Sequence, residues 1–246
     1  MTPLNTESTL NPLGQPVGLP LPNWREPNWP ERKVLEHRFC RLDPTTPAHA
    51  ADLFAAFSED VDGRDWTYLS YGPFPKIADF EQWLHTTCLG SEPTFYTIIP
   101  PDGRPAGLAA YLRITPAIGS VEVGHLHFAP RLQKSPTATA AMYLMADYAF
   151  SLGYRRYEWK CDALNAPSRS AALRLGFTYE GYFRQAMVYK GRTRDTLWFS
   201  IIDREWPRLK PAYERWLAAR NFDAAGRQRE RLNDLIRAAL DESANG

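Results

Sequence analysis

The stretch from Gly119 to Leu152 limits what this chain can fold into more than any other. GSVEVGHLHF (119–128) alternates as a β-strand does: Val121, Val123, His125 and His127 fall on one face, Glu122, Gly124, Leu126 and Phe128 on the other. APRLQKSP follows, and TATAAMYLMADYAFSL then carries apolar residues at 138, 142, 145, 149 and 152, the spacing of a helix. Ser135 before Pro136 has the form of an N-cap followed by proline at the first helical position. A strand thus feeds a short polar loop that opens a helix. Free N–H groups at such a positive helix end bind phosphate without help from glycine. An ordinary strand–loop–helix crossover has the same pattern, so both readings stand on this stretch alone.

With 246 residues, 44% apolar and 13% aromatic, the chain can build one large core with appendages. Its 29 basic residues nearly cancel its 28 acidic ones, so polyanion binding is not expected to be its main role and no nucleic-acid partner is expected. Cys40, Cys88 and Cys161 lie far apart without metal-ligand pairing, and no metal is expected. An odd cysteine count, and residues 1–20 that lack the pattern of a secretory signal, point to a reducing, cytoplasmic setting. No apolar run approaches the roughly 18–20 residues that span a bilayer, so no membrane role is expected.

Three parts follow along the chain. Residues 1–32 form a proline-rich arm (Pro3, Pro12, Pro16, Pro20, Pro22, Pro27, Pro30), extended rather than helical, with Trp24 and Trp29 expected to anchor it. Residues 33–203 form an α/β domain. KVLEHRFCRL (33–42) reads as a first strand, and Thr46–Pro47 opens a helix through His49, Leu53 and Phe57. Asp79 is the expected cap of a short helix to about Cys88. FYTIIP (95–100) and GLAAYLRI (107–114) form a hairpin leading into the 119–128 strand. After Gly153, YRRYEWKCD (154–162) is the next strand, and Asn165 opens a short helix closed by Gly176. TYEGYFRQAMVYKG and RDTLWFSII then close the sheet as a hairpin. Residues 204–246 turn helical, with stripes at Trp206, Leu209, Tyr213, Trp216, Leu217 and at Leu232, Leu235, Ile236, Leu240. Packing on the domain is the default for such stripes, and a homodimer contact is the alternative.

The segment DGRDWTYLSYGPF (62–74) crowds Trp66, Tyr68, Tyr71 and Phe74 around a Gly72–Pro73 turn. Rings so placed pin a loop to the core or wall a pocket, and the two roles are compatible.

EVG–HLHF–AP (122–130), LQKSPTAT (132–139) and NAPSRSAALRLGF (165–177) resemble the GNAT superfamily of N-acetyltransferases, in its RimJ/RimL-like branch, over about residues 33–203. WTYLSYGPF (66–74) and WLAARNFD (216–223) resemble a bacterial subgroup of that branch. The resemblance implies a mixed, mostly antiparallel twisted sheet with a central splayed parallel pair, flanked by helices. It also implies acetyl-CoA as co-substrate, bound where the pair splays. Leu126, His127 and Phe128 would then offer backbone bonds to the pantetheine. The N–H groups of Gln133 to Ala138 (Gln133, Lys134, Ser135, Thr137 and Ala138, proline having none) would hold the pyrophosphate, with Lys134 or Arg131 in support. Asn165 and Ser168 would serve the pantetheine region. Two positions depart from the family's pattern: Pro136 stands where a glycine belongs, and Ala172 stands where many members carry the tyrosine that protonates the leaving thiolate.

Acetyl transfer to an amine needs a route for a proton, and Glu122, His125 and His127 are the candidates. Glu122 ranks first by its matching position in the family. Strict alternation sets it opposite the two histidines, for which a satisfied place on a half-buried strand competes with catalysis. Trp66, Tyr68, Tyr71 and Phe74 are expected to wall the acceptor site. The resemblance implies an amine-bearing small molecule or a protein N-terminus as acceptor. A chain that has kept acyl-CoA binding and lost catalysis is the alternative.

Overall fold

A computed structural model describes residues 7–241, so Pro3 of the arm lies outside the described residues. The arm holds a small hairpin, β1 (Ser8–Leu10) with β2 (Pro16–Gly18). Then come β3 (Leu35–His37), β4 (Cys40–Pro44), α1 (Ala50–Phe57), α2 (Ile77–Trp83), β5 (Thr94–Ile99), β6 (Gly107–Thr115) and β7 (Ser120–Phe128). α3 (Pro136–Ser151) crosses to β8 (Arg156–Asp162), followed by α4 (Ala166–Arg174), β9 (Thr178–Tyr189), β10 (Arg192–Ile202), α5 (Trp206–Leu217) and α6 (Leu232–Asp241). Eight strands form one sheet in the order β3-β4-β5-β6-β7-β8-β10-β9. Every neighbouring pair is antiparallel except β7 with β8. This is the mixed, helix-flanked sheet expected from the sequence.

Alternation on the central strands feeds two cores. Tyr96, Ile98, Ala109, Tyr111, Val121 and Val123 pack with α3 on one face of the sheet. Phe95, Leu108 and Ala110 pack with Leu53, Phe57 and Phe80 of α1 and α2 in the second cluster. α3 starts where the sequence indicates: Ser135 Oγ accepts the Ala138 N–H at 3.1 Å and Pro136 takes the first position. Gly153, at φ +94°, turns the chain into β8. α5 and α6 share the first core: Trp206, Leu209, Tyr213, Trp216, Leu217, Leu232 and Ile236 are buried, with Leu235 and Leu240 packed at its margin. The Tyr213 hydroxyl donates to Leu175 O at 2.6 Å, fastening α5 to the end of α4.

Three local expectations need correction. Residues 33–42 form two short strands, β3 and β4, folded back on each other with His37 opposite Cys40 and the Arg38 guanidinium 4.2 Å from the centre of the Phe39 ring at the turn. Asp79 sits in the first turn of α2; Lys76 is its N-cap residue, and after Trp83 the helix widens into a π-turn over Leu84–Cys88. Trp29 is 40% exposed and makes no ring contact or side-chain hydrogen bond among the described residues. Trp24 does the anchoring, because its ring covers Gly119 so closely that a Cβ there would lie 2.4 Å from it. The Tyr148 hydroxyl accepts the Glu31 N–H and the Tyr96 hydroxyl donates to Glu31 O, each at 2.9 Å. Among the described residues, no helix is long and apolar enough to cross a membrane.

Candidate active site

The parallel ladder of β7 and β8 runs from Ser120↔Arg156 to Val123↔Trp159 and stops. Beyond it the strands part, and residues 124–128 keep a ladder partner only on the β6 side. The cause is local. Between Ala110↔Gly124 and Leu108↔His127, β7 uses one residue more than β6, and His125 absorbs it at φ +50°. Such a bulge bends its strand and shifts the phase of the side chains beyond it. The strict alternation expected of 119–128 therefore fails: Glu122 and His125 line the same cavity.

That cavity has a volume of about 480 Å³. Its walls come from loop 65–71, β6, β7, β8, the start of α4 and the β9–β10 hairpin. The roof is tied across the gap by the Tyr68 hydroxyl, donating to Leu164 O at 3.0 Å, and by Lys190 Nζ, donating to Trp66 O at 2.8 Å.

Glu122 lies buried at the foot of the parting. Its Oε1 accepts from Arg113 at 2.8 Å. Lys160 Nζ is 2.8 Å from its Oε2, a second ion pair on the same carboxylate. Lys160 also pairs with Glu158 at 2.7 Å and lies 3.7 Å from the centre of the Trp198 ring. Burial works against a charged Glu158, but hydrogen bonds from Lys160 and Arg156 together hold its carboxyl below the usual range. Alternating acidic and basic groups let four charges sit close together in a site that would reject any one alone.

The two histidines part company. The His125 Nδ1 is 3.1 Å from the Tyr71 hydroxyl, with the two rings stacked, and burial, aided by the Arg113 charge, pushes its pKa down to about 4. His127 packs between Phe57 and Trp66, makes no hydrogen bond through either ring nitrogen among the described residues and does not line the cavity. The aromatic loop divides in the same way. Tyr68 and Tyr71 line the cavity, whereas Trp66 and Phe74 pack into the second core and border a separate space of about 410 Å³. Gly72, at φ +63°, lets that loop close over Trp66, whose ring leaves no room for a Cβ.

At the opening of α3, several expected donors are already committed. The Gln133 N–H bonds to Ala129 O, and its side chain donates to Asp65 and to Phe128 O. The Ala138 N–H is held by Ser135. The N–H groups of Lys134, Ser135 and Thr137 carry no hydrogen bond among the described residues. Arg131 is tied to Glu59 and donates to Pro105 O at 2.8 Å. Leu126 lines the cavity, while Phe128 does not. Asn165 and Ser168 do line it: Asn165 Oδ1 caps α4 by accepting the Ser168 N–H, and Ser168 Oγ accepts from the Trp159 indole at 3.0 Å. Ala172 is fully buried in the core.

Among the lining residues that escaped the sequence reading, Arg113, Lys160, Arg194 and Trp198 matter most for charge and shape. The signal was present for Lys160, Arg194 and Trp198. Glu158, Lys160 and Asp162 alternate with core residues on β8, as Arg194, Thr196 and Trp198 do on β10, and charge on one face of a central strand marks a polar interior.

Comparison with known proteins agrees with this geometry. A family model described as "Acetyltransferase (GNAT) domain" matches residues 40–178, more than half of the chain. A GCN5-related N-acetyltransferase from Brucella melitensis is 45% identical, with a TM-score of 0.86 over 88% of this chain and 100% of that one. A probable GNAT-family acetyltransferase structure from Chromobacterium violaceum is 38% identical, with a TM-score of 0.74 over 78% of this chain and 98% of that one. A Bacillus licheniformis protein described as "Uncharacterized N-acetyltransferase p20" is 28% identical over 56% of this chain and 80% of its own length. RimL and the acetyl-CoA- and AMP-bound MccE share the fold at 20% and 19% identity. With its parted β7 and β8, its match over residues 40–178 and its likeness along nearly the whole chain to a GCN5-related enzyme, the chain belongs to the GNAT family and is an acyltransferase that transfers an acetyl group.

Proposed function

We propose that the chain acetylates a primary amine, on a small molecule or a protein N-terminus, using acetyl-CoA in the cytoplasm, and that it belongs to the RimJ/RimL-like branch. The observation that carries this is the parting of β7 from β8 directly above buried Glu122. The free backbone edge of 124–128 and the uncommitted N–H groups of Lys134, Ser135 and Thr137 suit a pantetheine chain ending in a pyrophosphate. Acetyl-CoA, when bound, supplies the activated acetyl group. Glu122, the buried carboxylate that lines the cavity at the foot of the parting, takes the proton that the amine must lose, directly or through one water. Arg113 and Lys160 fix that carboxylate in place. Asn165 and Ser168 hold the wall beside Trp159, and Tyr68 and Tyr71 bound the acceptor side.

The fully buried Ala172, where many relatives carry a thiolate-protonating tyrosine, favours the second reading, an acyl-CoA-binding protein without catalysis. Free thiol released from acetyl-CoA across a panel of amines and N-terminal peptides separates the two. Amine-dependent release is expected. Calorimetric binding of acetyl-CoA with no release from any amine would favour the second.

A further inference from the structure

One face of β10 gives Arg194, Thr196 and Trp198 to the cavity wall, while Leu197 and Phe199 enter the core. The ladder with β9 is irregular beside Arg194. Between Thr196↔Phe183 and Arg194↔Met187, β9 uses two residues more than β10. The slack is taken up at Gln185, at φ +47°, whose N–H is held by Asp195. Bulges of this kind re-aim a side chain, and Arg194 faces the cavity.

Every other cation on that wall is matched. Lys160 answers Glu122 and Glu158, and Arg113 answers Glu122. Arg194 has no ion pair among the described residues, and its buried Nε makes no hydrogen bond. The acids sharing the cavity are otherwise engaged. Asp162 accepts from the Tyr189 hydroxyl at 2.8 Å and the Leu164 N–H at 2.9 Å, and Asp65 accepts from Gln133 at 2.7 Å. The Tyr189 ring, 5.7 Å from the guanidinium, offsets only part of its lost hydration. A half-buried guanidinium with an empty fork is built for a carboxylate or phosphate, whose oxygens it can take two at a time.

We propose that Arg194 binds an anionic oxyacid group on the acceptor, so that the preferred substrates are amines that also carry a carboxylate or phosphate. This rests on the amine-acetylating reading above. Phe183 stacked on Trp198, at 4.5 Å, and Tyr68 across the cavity give the rest of such a molecule flat, largely apolar walls.

The test follows thiol release from acetyl-CoA with amines paired to differ only in the anionic group: glycine with glycinamide, β-alanine with β-alaninamide, phosphoethanolamine with ethanolamine. The carboxylate and phosphate pairs separate the two chemistries. Within at least one pair the anionic member is expected to have the higher kcat/KM. Arg194→Gln should lower that preference about 10- to 100-fold, the worth of one charge-assisted hydrogen-bonded pair. Arg192→Gln, exposed on the same strand, should keep it. Binding of the same probes beside acetyl-CoA is read in parallel from tryptophan fluorescence, since Trp159 and Trp198 line the cavity. Anionic probes that bind wild type but not Arg194→Gln, with no thiol release, would sustain the Arg194 site and reject the amine-acetylating reading. A preference untouched by Arg194→Gln, neutral members favoured in every pair, or no binding of any anionic probe would overturn the Arg194 assignment.

Discussion

His127 lies with its ring 3.8 Å from that of Trp66 and 4.1 Å from that of Phe57, centre to centre. Burial pushes its pKa down to about 3, and that of His125 to about 4. Both are therefore neutral in the folded protein at pH 5, where the unfolded chain, titrating near 6.5, is already protonated. Protons favour the unfolded state, so stability falls as the pH drops from about 6.5 towards 4. Each such histidine removes about 2 kcal/mol between pH 7.5 and pH 5. His127→Leu fills the same apolar space and carries no proton. Its loss of unfolding free energy between pH 7.5 and pH 5, from urea denaturation, should be smaller than that of wild type by about 2 kcal/mol. An equal loss in both proteins would mean that His127 is not held neutral by burial.

At the scale of elements, Ser135 does two things: it accepts the Ala138 N–H and donates to Leu132 O at 2.6 Å. Ser135→Ala should destabilise by about 1 kcal/mol, as loss of a helix cap does, and thermal unfolding would measure it; an unchanged Tm would show that the cap contributes nothing. That start was legible because Ser-Pro before a helical period has one economical meaning, as Gly153 and Gly176 do after one. The Lys190–Gly191 turn, both residues at positive φ, was legible for the same reason. The bulge in β7 was not. Its positive-φ residue is a histidine; Gly124 just before it, a glycine inside a strand pattern, was the one hint of a bulge, and it does not say which residue is extra or which side chains then share a face. Glu122 and His125 were for that reason assigned to opposite sides. The aromatic loop was half legible, since ring content predicts burial without saying which rings face the core and which the cavity.

At the scale of the molecule, separate segments complete one site. Loop 62–74 reaches the β8–α4 connection through Tyr68 and the β9–β10 turn through Trp66 O, so the cavity exists only when the sheet's far strands and the early loop are both in place. The arm is tied in by Trp24 over Gly119 and by Glu31 between two tyrosine hydroxyls. Trp24→Ala should lower Tm by roughly 3–12 °C, from about 1.5–3 kcal/mol of buried ring surface at some 2–4 °C per kcal/mol. Trp29→Ala should stay within about 0.5 kcal/mol of wild type, as exposed positions do. Equal losses in a calorimetric scan would contradict the arm's single aromatic anchor.

Acetyl transfer at the parting of β7 and β8, with Glu122 as the proposed destination of the proton, is tested most directly at Glu122 itself. Glu122→Gln keeps the shape and removes the base, so the direct measurement is kcat for thiol release, set beside the calorimetric Kd for acetyl-CoA. kcat should be lower by about 10²–10⁴-fold, the usual range for a lost general base, with Kd nearly unchanged. Full activity of Glu122→Gln across pH 6 to 9 would contradict it and turn attention to His125, the other titratable residue on the same stretch of β7 that faces the cavity.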